Sequence, residues 1–204
     1  SGMGTGFSTS ISAYDPKVVK EQLLAILKND KKKQKKLVPW YRGFTGKVEK
    51  DGDQTVITGK IEVVNTSTLK ITELPVGTYT SSYRETLNKL EDKEIIKSYE
   101  DNCSEEKTEF IVKVTREVAA KSEEELLKTF KLVTRDTENL VVWDENGKIR
   151  RFNTADDLLQ WFVAFRLTKY EARRLYMLKA AEGKKADLTE ELKFIKLYLV
   201  RSSV

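Results

Sequence analysis

The chain has 204 residues, and its 37 Lys and Arg against 32 Asp and Glu give a formal net charge of 37 − 32 = +5. This mildly basic balance is compatible with a nucleic-acid partner without requiring one. The absence of histidine and the single cysteine, Cys103, exclude His-dependent acid–base catalysis, imidazole or thiolate metal clusters and an internal disulfide.

Closely spaced glycines, Gly2, Gly4 and Gly6, open the chain. Such glycines free backbone amides to face a phosphate, but the lysine of a phosphate-binding loop is absent and no strand precedes the glycines. They therefore favour a tight structural loop. Because a glycine-rich stretch is an abrupt beginning, we expect the chain to be a piece of a longer protein.

A helix is predicted to begin at Asp15 and Pro16, since aspartate is a good N-cap and proline suits the first helical position. It should fade in five lysines, the lysine tract: Lys31, Lys32, Lys33, Lys35 and Lys36. Such a run is usually a solvated loop or a localisation signal. With Trp40, Tyr41 and Arg42 directly downstream, the tract also fits a surface that contacts a phosphate backbone and releases its counterions. For Trp40 we favour packing in the core beside the next hairpin.

The pattern then alternates as in antiparallel strands. A β-hairpin is predicted from residues 47–50, a turn at Asp51-Gly52 and residues 55–64. A further strand around residues 69–73 stops at Pro75 and Gly77.

Two capping-box patterns, in which a serine precedes a glutamate by three residues, predict helix starts. Ser82 and Glu85 open a helix through Leu87 and Leu90 toward Ile95, and Ser122 and Glu125 open a short helix ending near Phe130.

A strand is predicted at residues 110–114, where apolar and polar residues alternate. Asn146-Gly147 predicts the turn of another hairpin. Together these elements indicate an α+β fold with a mostly antiparallel sheet and flanking helices.

Several acidic groups resemble metal ligands but have simpler explanations. Asp51 and Asp53 flank a hairpin turn. The runs Asp156-Asp157 and Glu123 to Glu125 lie in predicted first turns of helices, where they complement the helix dipole. We assign no catalytic residue and no metal ligand in this chain.

From Thr154 onward, apolar residues at helical spacing predict a long amphipathic helix that is interrupted at Gly183 and followed by a second helical run. These helices fit either a stalk or partner helix, or an ordinary packed C-terminal pair, which periodicity by itself favours. We divide the chain into a glycine loop and linking helix (1–30), an α+β domain (31–153) and long helices (154–204).

Four separated stretches resemble the type IIA DNA topoisomerases in their order and rough spacing. They are GMGTGFSTSISAYDPKVV, PWYRGFTG, ITELPVGTYT and LVVWDENGKIRRF. The branch they match best is the eukaryotic, viral and phage branch rather than bacterial gyrase. The resemblance implies a fragment of the breakage–reunion core: the tower domain beside the DNA gate, followed by the start of the coiled coil.

In that family an isoleucine after the glycines inserts between base pairs and kinks the duplex, and the resemblance places this wedge at Ile11. Wedging costs unstacking energy that is recovered by wrapping bent DNA on a basic surface. The resemblance thus implies binding of double-stranded DNA through Ile11, the lysine tract and Arg42. In the PWYRGFTG stretch, Gly43 and Gly46 are expected to let the backbone turn.

The sequence departs from the family pattern at two places. Ser12 and Ala13 follow the isoleucine where prolines are common, which puts the rigidity of this loop in question. Phe7 and Tyr79 stand where tryptophan is common.

The family's catalytic tyrosine, its magnesium-binding acids and its ATPase lie outside the matched region. Tyr14 and Tyr41 lack the Arg-Tyr context of that tyrosine, so this chain alone is expected to be non-catalytic and to hold no cofactor. Magnesium and ATP are implied for the full enzyme, an ATP-dependent dimer that passes one duplex through another.

No apolar run approaches the roughly 20 residues of a membrane span, and no secretory signal opens the chain, so we expect no membrane partner and an intracellular location. For this family that location is the nucleus, or the cytoplasm, a virus factory or a phage-infected cell if the source is viral. A non-catalytic nucleic-acid-binding module and a protein-interaction module remain alternatives.

Overall fold

Eleven strands and five helices are formed by the residues that the computed structural model describes, which are 1–105 and 107–202. In chain order they are β1 (Gly2–Gly4), β2 (Phe7–Thr9), α1 (Pro16–Leu27), β3 (Lys47–Asp51), β4 (Gln54–Thr58), β5 (Lys60–Asn65), β6 (Thr68–Glu73), α2 (Thr80–Asp92), β7 (Ile96–Asp101), β8 (Phe110–Val114), α3 (Arg116–Ala119), α4 (Glu123–Thr129), β9 (Val133–Thr137), β10 (Val141–Trp143), β11 (Ile149–Arg151) and α5 (Ala155–Ser202). Every strand pair is antiparallel in this part of the chain, which confirms the predicted α+β class.

The main core lies on the four-stranded sheet β5-β6-β8-β7. Alternate residues of a strand share one face, so Leu69 and Ile71 of β6 are buried together with Phe110 and Val112 of β8. Apolar side chains of α2 and α4 join the same cluster. Each such side chain contributes about 1.5–3 kcal/mol of transfer free energy, and the packed sheet is a firm platform for the loops around it.

The strand predicted over residues 55–64 is wrong, because the chain changes sheets at Gly59. β4 lies between β3 and β9 in a three-stranded sheet, whereas β5 pairs with β6. The Gly59 amide donates to the Leu132 carbonyl at 2.8 Å, and a Cβ on Gly59 would overlap the carbonyl oxygen of Glu73. An alternating pattern does not report which partner each half of it pairs with.

Helix α2 begins at Thr80, with Tyr79 as its N-cap, so the predicted capping box at Ser82 is wrong. A turn closed by the Thr78 amide on the Pro75 carbonyl, 3.0 Å, delivers the chain into the helix three residues earlier. Ser82 lies inside the first turn, where its hydroxyl donates to the Tyr79 carbonyl.

The same helix ends at Asp92 and does not reach Ile95. Glu94 has a left-handed φ of 58°, which terminates the helix and starts β7. The sequence patterns did not indicate β7, α3 or β9.

Other local signals are confirmed. The Asp15 carboxylate caps α1 by accepting from the Lys17 amide at 2.8 Å, and Ser122 forms a complete capping box with Glu125 on α4. Gly147, with a φ of 71°, lies in the turn between β10 and β11.

Helix α5 is one continuous helix of 48 residues, so the predicted interruption at Gly183 is wrong. A glycine inside a helix costs only about 1 kcal/mol relative to alanine, which a long helix tolerates. The Thr154 hydroxyl accepts from the Asp157 amide at the predicted start. Side chains are partly buried as far as Phe165 and exposed from Arg166 to Arg201, so the predicted packed pair of helices is also absent from the described residues. Neither α5 nor any other described helix is long and apolar enough to cross a membrane.

Candidate nucleic-acid interface

The N-terminal glycines lie in a β-hairpin rather than in a phosphate-binding loop. β1 pairs with β2 from Gly2 opposite Thr9 to Gly4 opposite Phe7, and Gly6 supplies the turn with a φ of 83°. The Phe7 ring lies where a Cβ on Gly4 would be. It also packs edge-on against Trp143, with ring centroids 5.8 Å apart, so this hairpin is anchored on β10.

The segment that carries Ile11 is tied down on both sides. Ser10 and Asn139 exchange two backbone hydrogen bonds of 2.9 and 2.8 Å, and the Ala13 carbonyl accepts from the Trp40 amide at 2.8 Å. The Ile11 side chain is 41% exposed at the mouth of an apolar groove of about 470 Å³ that Trp143 and Phe162 also line. An exposed isoleucine on a fixed backbone is available to an external partner.

Glu138 is the second tie of this segment, and the sequence analysis did not find it. One carboxylate oxygen, Oε1, accepts from the Ser12 amide at 3.1 Å and from the Tyr14 hydroxyl at 2.6 Å. The other, Oε2, accepts from Lys50 Nζ at 2.7 Å. The Glu138 side chain is only 5% exposed. Burial by itself raises the pKa of this carboxyl, but the hydrogen bonds from Lys50, Tyr14 and Ser12 outweigh it and hold the pKa below its usual range.

The lysine tract has a fixed backbone and free side chains. The Lys35 amide donates to the Gln22 side chain at 3.0 Å and the Leu37 amide to Asp156 at 3.3 Å, which attaches the loop to α1 and to the start of α5. All five lysine side chains are exposed. Within residues 1–105 and 107–202, Lys33 alone among them has an ion pair, at 3.7 Å to Asp30. The tract therefore keeps its positive charge largely unneutralised.

The lysine tract and the Ile11 segment flank two adjoining grooves. Lys35 and Lys36 line a second groove of about 420 Å³, and Tyr14 and Leu37 line both grooves. Trp40 lies in the second groove with 38% of its surface exposed. The prediction that Trp40 packs in the core is therefore wrong, because its backbone is held on the Ile11 segment at the molecular surface.

The PWYRGFTG turn is positioned as expected, with one difference. Gly43 has a φ of 81°, as a turn requires. Gly46 is needed for close packing instead, since a Cβ there would overlap the Thr58 carbonyl oxygen and the Phe44 ring. Arg42 is exposed in this turn but lines neither groove.

Arg150 and the aromatic side chains at the base of α5 also escaped the sequence analysis. Its guanidinium carbon lies 4.8 Å from the Phe152 ring centroid and 5.6 Å from that of Trp161. Trp161 in turn stacks on Phe165 with centroids 5.6 Å apart. Cation–π and stacking contacts of this kind fix side chains in one geometry, so the β10–β11 hairpin sets the direction in which α5 leaves the sheet.

Neither tyrosine near the Ile11 segment is activated as a nucleophile. Burial raises the pKa of Tyr14, and its hydrogen bond to Glu138 raises it further. Burial also raises the pKa of Tyr41. A tyrosine that attacks a phosphate needs the opposite change, because the phenolate is the nucleophilic form.

The described residues do not fit a magnesium site, because no three acidic or cysteine side chains lie together in a way that could hold a metal ion. The glycine hairpin does not fit a nucleotide phosphate either, since it pairs its backbone as two strands. No chemical step through a metal or nucleotide follows from these residues.

A family model that describes the A-type chain of DNA gyrase/topoisomerase IV matches residues 1–202. The chain is 36% identical over 200 residues to a mitochondrial DNA topoisomerase 2 of Dictyostelium discoideum, covering 96% of this chain and 15% of that protein. It is also 36% identical over 200 residues to a DNA topoisomerase 2 of Plasmodium falciparum, covering 95% of this chain and 14% of that protein. The chain thus spans about one seventh of the length of these curated relatives.

A solved structure has the same fold. It is the crystal structure of the Plasmodium falciparum topoisomerase II DNA-binding, cleavage and re-ligation domain, to which this chain is similar with a TM-score of 0.78 and 35% identity. The match covers 86% of this chain and 25% of that one.

Proposed function

Because this chain belongs to the DNA gyrase/topoisomerase IV family, we propose that it is the DNA-supporting part of a type II DNA topoisomerase, which passes one duplex through a transient break in another. The similar solved structure is a DNA-binding, cleavage and re-ligation domain. The observation that carries the proposal is the placement of a half-exposed Ile11 and an unneutralised lysine tract beside two adjoining grooves.

In this proposal the chain acts by holding a deformed duplex. The lysine tract neutralises backbone phosphates and fixes the position of the DNA, without reading its sequence. Ile11 enters between two base pairs at a step that the bend has opened, and the bend brings more phosphates to the basic surface. Arg42, which has no ion pair in the described part of the chain, is a further phosphate contact in this proposal.

Cleavage and strand passage belong to other domains of the enzyme in this proposal. The raised pKa values of Tyr14 and Tyr41 and the lack of fit to a metal among the described residues support that division. Magnesium and ATP would be held by those other domains. We therefore expect this chain by itself to bind duplex DNA weakly and not to cut it.

Replacement of Ile11 by alanine should abolish the local unstacking of DNA. At saturating protein, the fluorescence rise of a duplex that carries 2-aminopurine should fall to about a third or less of the original, because alanine is too short to separate two stacked base pairs. The affinity for the duplex should change little, since the phosphate contacts remain.

Ile11→Leu is the matched control, because leucine keeps the apolar volume and should keep the fluorescence rise. If the original chain produces no rise, or if Ile11→Ala produces the same rise, the wedge assignment is rejected. Loss of binding without loss of unstacking per bound duplex would assign Ile11 to the contact surface instead.

A second part of the proposal concerns helix α5, which we expect to form a coiled coil. Leu188, Leu192 and Ile195 are spaced by four and three residues, as along a coiled-coil seam, and all three are exposed. An exposed apolar seam on a helix that leaves its domain needs a partner helix. For the chain in solution, the available partner is α5 of a second copy.

Leu192→Asp should weaken self-association of the chain by about tenfold or more in sedimentation equilibrium, because it buries a charge in the seam. Leu197→Asp is the control, since Leu197 is exposed on the side away from the seam, and it should leave the association constant nearly unchanged. A chain that is monomeric at every concentration would contradict pairing between copies.

A further inference from the structure

The Ile11 segment has little local sequence support for a fixed conformation. Ser12 and Ala13 do not restrict the backbone as proline does, and α1 begins only at Pro16. A flexible loop would have to lose conformational entropy before Ile11 could act on a duplex. The contacts that hold it come instead from two consecutive residues far along the chain, Glu138 and Asn139.

The two oxygens of the Glu138 carboxylate have separate partners. Oε1 faces the Ile11 segment, where it accepts from the Ser12 amide and the Tyr14 hydroxyl. Oε2 faces the β3–β4 hairpin, where it accepts from Lys50. Ser12 directly follows Ile11, and Ser10 directly precedes it and is bonded to Asn139. Ile11 is therefore clamped between two hydrogen-bonded neighbours.

We propose that Glu138 is a positioning residue for Ile11, and that its Oε1 bonds to Ser12 and Tyr14 hold the wedge in the conformation that enters DNA. The inference rests on the proposed function for its consequence on DNA, but its structural part concerns the free chain. The Lys50 ion pair stabilises the carboxylate and is not itself the positioning contact. Its side chain is about one third exposed, where ion pairs contribute little.

Three variants separate these roles. Glu138→Ala removes both bonds to the Ile11 segment and the ion pair. Glu138→Gln keeps an amide oxygen that can accept from Ser12 and Tyr14 but loses the ion pair. Lys50→Met loses the ion pair and leaves Oε1 in place. Only the alanine variant should therefore release the Ile11 segment.

The first measurement is amide hydrogen exchange in the free chain, with Val112 in the buried sheet as the internal reference for global stability. In Glu138→Ala, exchange at Ser12 should accelerate about tenfold or more relative to Val112, because a local opening is created without unfolding the core. In Glu138→Gln and Lys50→Met, the same ratio should stay within about threefold. An unchanged Ser12 ratio in Glu138→Ala overturns the inference.

The second measurement is the 2-aminopurine signal at saturating protein. Glu138→Ala should lower it to the level of Ile11→Ala, whereas Glu138→Gln and Lys50→Met should keep most of it. If Ile11→Ala abolishes the signal and Glu138→Ala does not, the inference fails while the proposed function stands. If Ile11→Ala has no effect, the proposed wedge fails, and the exchange at Ser12 still decides whether Glu138 positions the segment.

Discussion

Replacing all five residues of the lysine tract with glutamine is expected to flatten the salt dependence of duplex binding. Each phosphate that a lysine neutralises contributes about 0.9 to the slope of log affinity against log salt concentration, so five contacts contribute about 4.5. Between 50 and 200 mM salt, this term weakens binding by up to roughly 500-fold. The variant should lose most of that dependence, and its affinity at low salt should fall accordingly.

The structural basis of this expectation is a loop whose backbone is fixed while its charges are free. Hydrogen bonds to Gln22 and Asp156 hold the loop backbone, so the lysines stay on one side of the molecule without being ordered one by one. Fluorescence anisotropy titrations of a labelled duplex at four or five salt concentrations would give both slopes.

The matched control changes the same number of lysines on helix α5. Replacing Lys179, Lys184, Lys185, Lys193 and Lys196 with glutamine also brings the net charge from +5 to 0, but on an exposed helix away from both grooves. Its slope should remain close to that of the original chain. Equal flattening in both variants would mean that binding follows net charge, and the lysine tract would lose its assigned role.

Gly59→Ala is expected to destabilise the fold by about 3 kcal/mol, which is large for the addition of one methyl group. The added Cβ would overlap the carbonyl oxygen of Glu73 and crowd Pro75, and backbone atoms cannot move aside as a flexible side chain can. Gly59 is also the point where the chain passes between two sheets, so a shift there disturbs β4 and β5 together. Urea unfolding followed by circular dichroism measures the change.

Gly183→Ala provides the opposite expectation from the same substitution. No atom lies within 4 Å of the position that a Cβ would occupy on Gly183, and alanine favours a helix over glycine by about 1 kcal/mol. This variant should increase the helical signal of α5 on heating and leave unfolding of the sheet unchanged. A Gly59→Ala protein as stable as the original would contradict the described crossing between the sheets.

Elements whose signals act within a few residues were predictable. The Asp15 cap, the Ser122 capping box and the turn at Asn146-Gly147 depend on hydrogen bonds or φ values that lie inside the motif itself. The structure contains each of them. The resemblance to type II topoisomerases likewise depended on short motifs in order, and the family match confirms it.

The predictions that failed depended on partners distant in the sequence. Ser82 fits a capping box, but a preceding turn had already started the helix. Alternation through residues 55–64 is compatible with one strand or two, and Gly59 separates them by packing against Glu73. Trp40 was placed in the core by its hydrophobicity, yet a backbone bond to Ala13 holds it at the surface.

The sequence by itself determined the α+β class, most helix and hairpin positions, the family, and the candidate contacts Ile11 and the lysine tract, because these depend on neighbouring residues and short motifs. Only the tertiary structure brought Glu138 and Asn139 to the Ile11 segment, across separations of more than 120 residues. It also placed the lysine tract beside that segment. Contacts of this kind form only when the chain has folded, and no local pattern of residues encodes them.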